Sequence, residues 1–414
     1  MSTAVVRPPR RVPSVADLVA AGRAHGLDAV GVAPAGPFAT ARRHLERRRA
    51  AGMHAGMAFT YRRPDRSSDP GRALPGARAI VVGARSYRRE AEPPSAADGG
   101  SPRTPGSMRP TGPWGRVARY AWEDHYTPLQ SALTVVAREL EAAGWRCRVV
   151  ADDNALVDRE AAFRAGIGWY GKNANLLLPA RGSWFVLGSV VTDAPLATRS
   201  RPLADGCGGC TRCIDGCPTG AIVAPGVVDA RRCLAWLLQM EGPFPRDHRV
   251  ALGDRLYGCD DCQEVCPPNN RVDRIEPASE AAPGAQPVVD LLDLLAASDD
   301  DLMTRYGRWY VPRREARYLR RNALVVLGNV ADPRDPAVVA TLCRALVDAD
   351  PLVRAHAVWA VRRLGRPDLL SEVADVADDP DPLVRAELEA AVDARVPPAP
   401  APPAAPTPVR AAAG

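Results

Sequence analysis

The sequence predicts a multidomain chain of mixed α/β and all-α class, and three observations predict it. Over the first 200 residues apolar strands such as Ala79-Ile-Val-Val82 alternate with amphipathic helices. Eight of the ten cysteines then crowd between Cys207 and Cys266. Later, Asp350-Pro-Leu-Val-Arg-Ala355 recurs as Asp381-Pro-Leu-Val-Arg-Ala386, a period of 31 residues. The expected units are an α/β domain over 14–195, a cysteine-rich domain over 196–275, HEAT-like helical repeats over 288–395 and a disordered Pro/Ala tail over 396–414.

Ser14 is placed to cap a helix through about His25, with Asp17 in a capping-box-like position. Asp28–Val32 reads as a short strand. A basic helix follows with Arg42, Arg43, Arg47, Arg48 and Arg49, a face that is usually solvated but also suits phosphates. Arg78–Gly83 is an apolar strand, and Glu90–Pro113 has the composition of a mobile surface loop. Tyr126–Ala143 keeps a helical apolar period, and Cys147–Ala151 and Trp184–Thr192 read as strands. Between them Gly166, Gly168 and Gly171-Lys172 imitate two nucleotide-binding motifs. Both motifs need a strand before the glycines. Here the helical segment Val157–Ala165 precedes Gly166, which reads as its C-terminal cap. Asn173 also stands where a P-loop has its hydroxyl.

Cys207, Cys210, Cys213 and Cys217-Pro218 follow C-x2-C-x2-C-x3-C-P, in which three thiolates hold one cubane and the fourth reaches a second. The second run, Cys259, Cys262 and Cys266-Pro267, lacks a first cysteine, and Cys233, on a helix expected over Arg231–Met240, fills the gap. By the cross-over rule Cys207, Cys210, Cys213 and Cys266 hold one 4Fe–4S cluster, and Cys217, Cys233, Cys259 and Cys262 the other. A zinc site explains the Cys-x2-Cys pairs but not the paired Cys-Pro endings. Cys147 and Cys343 are expected to be small buried residues.

The formal charge is +6, from 54 basic and 48 acidic residues, and Lys172 is the single lysine. Arg313, Arg314, Arg317, Arg320 and Arg321 gather at the entrance to the repeats, a pattern suited to a phosphate backbone. The N-terminus has no apolar run of signal-peptide length, and thiolate-bound clusters suit a reducing cytoplasm.

Two cubanes deliver single electrons, and the α/β domain is the natural place for an acceptor. No flavin, nicotinamide or cobalamin motif identifies it. The combined pattern resembles the epoxyqueuosine reductase family. It rests on Arg119-Tyr-Ala-Trp-Glu-Asp124, Asp152 seven residues before Arg159, Arg164-Ala-Gly-Ile-Gly-Trp-Tyr-Gly-Lys-Asn173, Gly182-Ser-Trp-Phe185, the cysteine runs, Leu256-Tyr-Gly-Cys-Asp-Asp-Cys-Gln-Glu-Val-Cys-Pro267 and Arg321-Asn-Ala323. The resemblance implies a cobalamin-binding α/β domain, two 4Fe–4S clusters feeding a base-off cobalamin, and reduction of epoxyqueuosine to queuosine at the wobble position of tRNA. It implies Asp152 as proton donor, with Asp153 a rival and a helix cap the bland alternative. Arg66, Asp152, Lys172, Asn173 and Leu176 are the implied cobalamin contacts. The chain has Asp124-His-Tyr126 where members often have Asp-Tyr-His, which puts any role for His125 in doubt. The expected partners are the tRNA anticodon stem-loop and an external electron donor, with no membrane, and a monomer is expected. The competing readings are a reductive-dehalogenase-like enzyme and an electron-transfer or tRNA-binding protein without its own chemistry.

Overall fold

The computed structural model describes residues 11–90, 112–198, 201–373 and 376–390. Most of the expected surface loop and all of the tail lie outside these residues. Helix α1 (Val15–Ala24) starts where the Ser14 hydroxyl accepts the Asp17 N–H at 3.1 Å. Then come β1 (Ala29–Pro34), α2 (Ala39–Ala50), β2 (Ala79–Ser86), α3 (Tyr126–Ala142), β3 (Cys147–Ala151), α4 (Asp158–Arg164) and β4 (Phe185–Thr192). The four strands make one sheet in the order β1-β2-β4-β3, with every pair antiparallel.

Alternation along β2 divides its side chains between two cores. Val81 packs with Leu18 of α1 and Leu129, Leu133, Val136 and Leu140 of α3. Ile80 and Val82 face the opposite layer, where Ala161 and Ala162 of α4 lie. Gly166, at φ +69°, follows the α4 C-terminus as expected of a terminating glycine.

The strand Trp114–Val117 leaves this domain. It pairs in parallel with Arg255–Tyr257 and antiparallel with Val288–Asp290. Val117, Ala121 and Trp122 consequently share one hydrophobic core with Leu234, Leu237 and Leu256 of the cysteine-rich region and with the repeat helices. The cysteine-rich region contributes α5 (Leu234–Leu237) and α6 (Pro267–Ile275). The expected helix over Arg231–Met240 is shorter than its apolar pattern suggested. Asp229 takes the Arg231 N–H with its side chain, and the backbone is still extended at Cys233, which caps α5.

The repeats comprise α7 (Arg317–Val330), α8 (Pro336–Leu346), α9 (Pro351–Arg363), α10 (Asp368–Glu372) and α11 (Pro382–Glu389). Asp335, Asp350 and Asp381 each accept the N–H two residues on, and proline occupies the first helical position. The Asp-Pro pairs are therefore helix starts.

Two expectations need correction. The five arginines at the repeat entrance do not form a free phosphate-binding patch. Arg321 is fully buried and donates to the carbonyls of Leu237, Leu238, Met240 and Gly242. Arg313 pairs with Glu241, Arg317 with Glu315 and Asp350, and Arg320 with Asp299. Arg314 donates to the Gly307 carbonyl. Cys147 and Cys343 are only half-buried, at the edges of their cores. Among the described residues no helix is long and apolar enough to cross a membrane.

Candidate active site

β3 ends at Ala151, and the chain turns at Asp152 with φ +52°, a left-handed conformation that Asp tolerates better than most residues. The Asp152 carboxylate makes no hydrogen bond among the described residues. Asp153, its rival, is engaged: one oxygen accepts the Ala155 N–H at 2.9 Å and the other lies 3.3 Å from Arg148. The N-cap of α4 is Val157, so Asp152 is not a helix cap. Asp152 reaches solvent on one side while protein crowds the other. That desolvation, and then the Asp153 charge, raise its carboxyl above the ordinary carboxylate range.

Asp158 opens α4 and is the neighbour that sequence reasoning missed. One of its oxygens is buried without a hydrogen-bond partner. Burial, followed by the Asp152 charge, holds its carboxyl well up. Tyr126 is raised by burial and then by the charges of Asp152 and Asp158. Tyr257 is raised by burial first and also feels Asp152. The signal for this group was present in the Asp152–Arg159 spacing, but nothing in the sequence brought Tyr126 and Tyr257 to it. His125 is almost fully buried beside Tyr87, 3.4 Å from Glu123, and burial lowers it to about 4. It is a neutral core residue.

The remaining expected contacts lie around this turn. Arg66 is exposed on the short helix Pro64–Ser67 and makes no side-chain hydrogen bond or ion pair among the described residues. The Ser67 carbonyl accepts the Val157 N–H at 2.9 Å, tying that helix to the Asp152 loop. Lys172 donates to the Gly208 carbonyl at 2.7 Å, inside the first cysteine run. Buried Asn173 donates to the Cys262 carbonyl at 3.2 Å. Leu176 is a core residue. Lys172 and Asn173 thus fasten the glycine-rich loop to the cysteine-rich region.

The thiols fall into two neighbourhoods. Cys266 is pushed up to about 11 by burial and then by Cys207, Cys213 and Cys210. Cys262 is raised by burial and then by Cys259, Cys233 and, more weakly, Cys217. Cys233 and Cys266 each stand at a helix start, where their carbonyls accept the N–H of Trp236 and of Asn270. The Ala221 N–H donates to Cys217 Sγ at 3.2 Å. Such an N–H bond to sulfur stabilises a thiolate and tunes a cluster potential. Among the described residues no three His, Cys, Asp or Glu side chains close on a single metal ion. A cubane takes one thiolate at each iron corner and holds the four apart, and two thiol quartets fit two of them.

Gly258, at φ +70°, lets the second run pass close to Ala118 and Tyr120, where an added Cβ would stand 2.5 Å from Ala118. Tyr257, immediately before it, is thereby shared between Asp152 and the second quartet. Arg159 is a neighbour of both Asp158 and Cys233. The unpaired Asp158 oxygen is closed off from solvent, so of this acid pair the exposed Asp152 carboxylate is the one that could offer a polar contact to the amide arm of a corrin. A hollow of about 460 Å³ between Leu27, Asp28, Ile167 and Arg181 does not involve this acid pair.

Comparison with known proteins agrees with this arrangement. Residues 206–269 match the 4Fe-4S double cluster binding domain, and residues 312–393 match HEAT repeats. The epoxyqueuosine reductase of Bacillus cereus is 31% identical over 353 residues, covering 84% of this chain and 88% of the relative. A solved epoxyqueuosine reductase with an epoxyqueuosine-modified tRNA-Tyr stem loop superposes with a TM-score of 0.78 at 29% identity, covering 90% of this chain and 96% of that one. The Bacillus subtilis enzyme, solved with its catalytic aspartate loop swung out of the active site, gives 0.77 with the same identity and coverage. This chain is a member of the epoxyqueuosine reductase family of oxidoreductases.

Proposed function

We propose that this chain reduces the epoxide of epoxyqueuosine at the wobble position of tRNA, giving queuosine and water, with Asp152 as the proton donor. The observation that carries the reading is the Asp152 carboxyl, free of hydrogen bonds, raised above the ordinary range and felt by Tyr257, which directly precedes the second cysteine run. Cys207, Cys210, Cys213 and Cys266 would hold one 4Fe–4S cluster, and Cys217, Cys233, Cys259 and Cys262 the other. Cobalamin, with Arg66 and Asp152 among the residues that would hold it, would supply the reducing chemistry, fed by single electrons from an external donor.

The chain's own residues account for the proton and the geometry. Two electrons and two protons convert the oxirane to an alkene and release its oxygen as water. As the C–O bond opens, the oxygen gains charge and takes a proton from the Asp152 carboxyl. Partial desolvation and the Asp153 charge raise that carboxyl, which keeps it protonated further toward neutrality than an unperturbed aspartate. Tyr126 and Asp158 are buried neighbours that feel the Asp152 charge. Arg66, exposed on the helix tied to the Asp152 loop, is the residue placed to meet a cobalamin amide or phosphate. For Lys172, Asn173 and Leu176, any contact to cobalamin would come from the loop backbone, because their side chains are otherwise engaged. The relative's swung-out aspartate loop supports a donor on a loop that moves.

The test uses anaerobically purified, cluster-reconstituted protein with cobalamin, a reductant and epoxyqueuosine-containing tRNA. Queuosine in the digested tRNA is the expected product. Protein that binds cobalamin and carries full iron yet forms no queuosine overturns the reading.

A further inference from the structure

Residues 39–68 hold eight arginines against Glu46 and Asp65, a net of +6, equal to the formal charge of the entire chain. Removing them from the totals of 54 and 48 leaves 46 basic and 46 acidic residues elsewhere. A general enrichment in arginine does not explain this segment. Its shortage of acids sets it apart.

Its arginines are also available. Arg42 pairs with Glu46 and Arg63 with Asp65, both at the surface. Arg43, Arg47, Arg49 and Arg62 are exposed and form no ion pair among the described residues. At the repeat entrance Arg321 is buried against carbonyls and Arg317 and Arg320 pair with carboxylates, leaving Arg313, in a surface pair with Glu241, and Arg314 at the surface.

An aromatic ring stands among these charges. Phe59 is 39% exposed. The next residue, Thr60, holds a left-handed φ of +59°, and its N–H donates to Asn154 Oδ1 at 2.7 Å. Asn154 lies two residues after Asp152. On the other side, Arg48 donates to the Gly226 carbonyl and the Trp236 indole donates to the Ala55 carbonyl. The segment therefore runs from the donor loop to the turn that carries Cys233.

Exposed guanidinium groups without counter-charges, interrupted by an exposed ring, suit an RNA loop. The backbone releases counterions to the arginines, and an unstacked base lies on the aromatic face. We propose that residues 39–68, rather than the repeat-entrance arginines, form the surface that grips the phosphate backbone of the tRNA stem-loop, with Phe59 stacking on an unpaired base. The proposal rests on the tRNA reading above. Because Thr60 is tied to Asn154, RNA held on this surface also steadies the loop that carries Asp152.

The experiment measures binding of an epoxyqueuosine-modified anticodon stem-loop to cluster-loaded protein across a salt series. Circular dichroism and iron content establish that each variant is folded. The triple variant R43Q/R47Q/R62Q should bind about tenfold or more weakly at low salt. Its slope of log affinity against log salt should be shallower by about 2, as expected for three lost phosphate contacts to a single strand. Phe59→Ala should weaken binding with the slope unchanged, and R313Q/R314Q should bind like the parent. A triple variant within twofold of the parent, or a loss carried by R313Q/R314Q instead, overturns the proposal. A parent protein that binds no stem-loop at any salt concentration removes the tRNA reading itself, and this surface with it.

Discussion

Asp152, the proposed proton donor, combines two properties that usually conflict. Its carboxyl is desolvated enough to be raised, yet no hydrogen bond fixes it to the scaffold. A donor works only while protonated, so turnover should fall as pH rises through that raised value. Asp152→Asn keeps the shape and removes the acid. Single-turnover queuosine formation should drop by about 10²–10⁴-fold, the usual worth of a positioned general acid, while iron content and visible absorption stay unchanged. Asp153→Asn should act mainly through the turn, because Asp153 is held by the Ala155 N–H and Arg148. Retained turnover in the Asp152→Asn variant, with loss in Asp153→Asn, would exchange the two roles.

At the scale of elements, legibility followed how local the cause was. The Ser14 cap, the helix ending at Gly166 and the Asp-Pro helix starts are set by neighbours two or three residues away, and all are readable in the sequence. The antiparallel order of the sheet, the departure of Trp114–Val117 from its own domain and the burial of Arg321 depend on distant partners, and the local pattern is silent about them. His356, inside α9, is a similar case. Its Nδ1 lies 2.7 Å from the Leu352 carbonyl and its Nε2 3.1 Å from the Phe244 N–H. The first contact needs a proton on Nδ1 and the second a lone pair on Nε2, so the ring is neutral. Burial, and then the Arg249 charge, lower its pKa well below the ordinary value. The unfolded chain therefore takes up a proton that the fold refuses. Stability should decline as pH falls through about 6.5, by roughly 1.4 kcal/mol for each unit below it. Denaturant unfolding of the repeat helices at pH 7.5 and 5.5 checks this. His356→Gln should show a smaller difference between the two, and an equal one would show that His356 does not carry the effect.

The whole molecule joins its electron-handling and helical parts through one core, and the two thiol quartets meet that core differently. Cys233 caps α5, whose Leu234 and Leu237 are buried against the repeats, and Cys259 packs on the same cluster. Arg321 and Asn322 of α7 bond the Leu238 carbonyl just beyond α5. Cys210, by contrast, sits in a loop whose Gly208 and Gly209 have open space where a side chain would be. Losing the second cluster should therefore loosen the repeats, while losing the first should be felt locally. Both Cys233→Ala and Cys210→Ala should halve the iron per chain if each quartet holds its own cube. Only Cys233→Ala should lower the melting temperature of the helical signal substantially, because an unfilled second quartet leaves like-charged or desolvated thiols against the shared core. Equal shifts in the two variants would mean that the shared core does not transmit the loss. Unchanged iron in Cys233→Ala would show that Cys233 is not a cluster ligand.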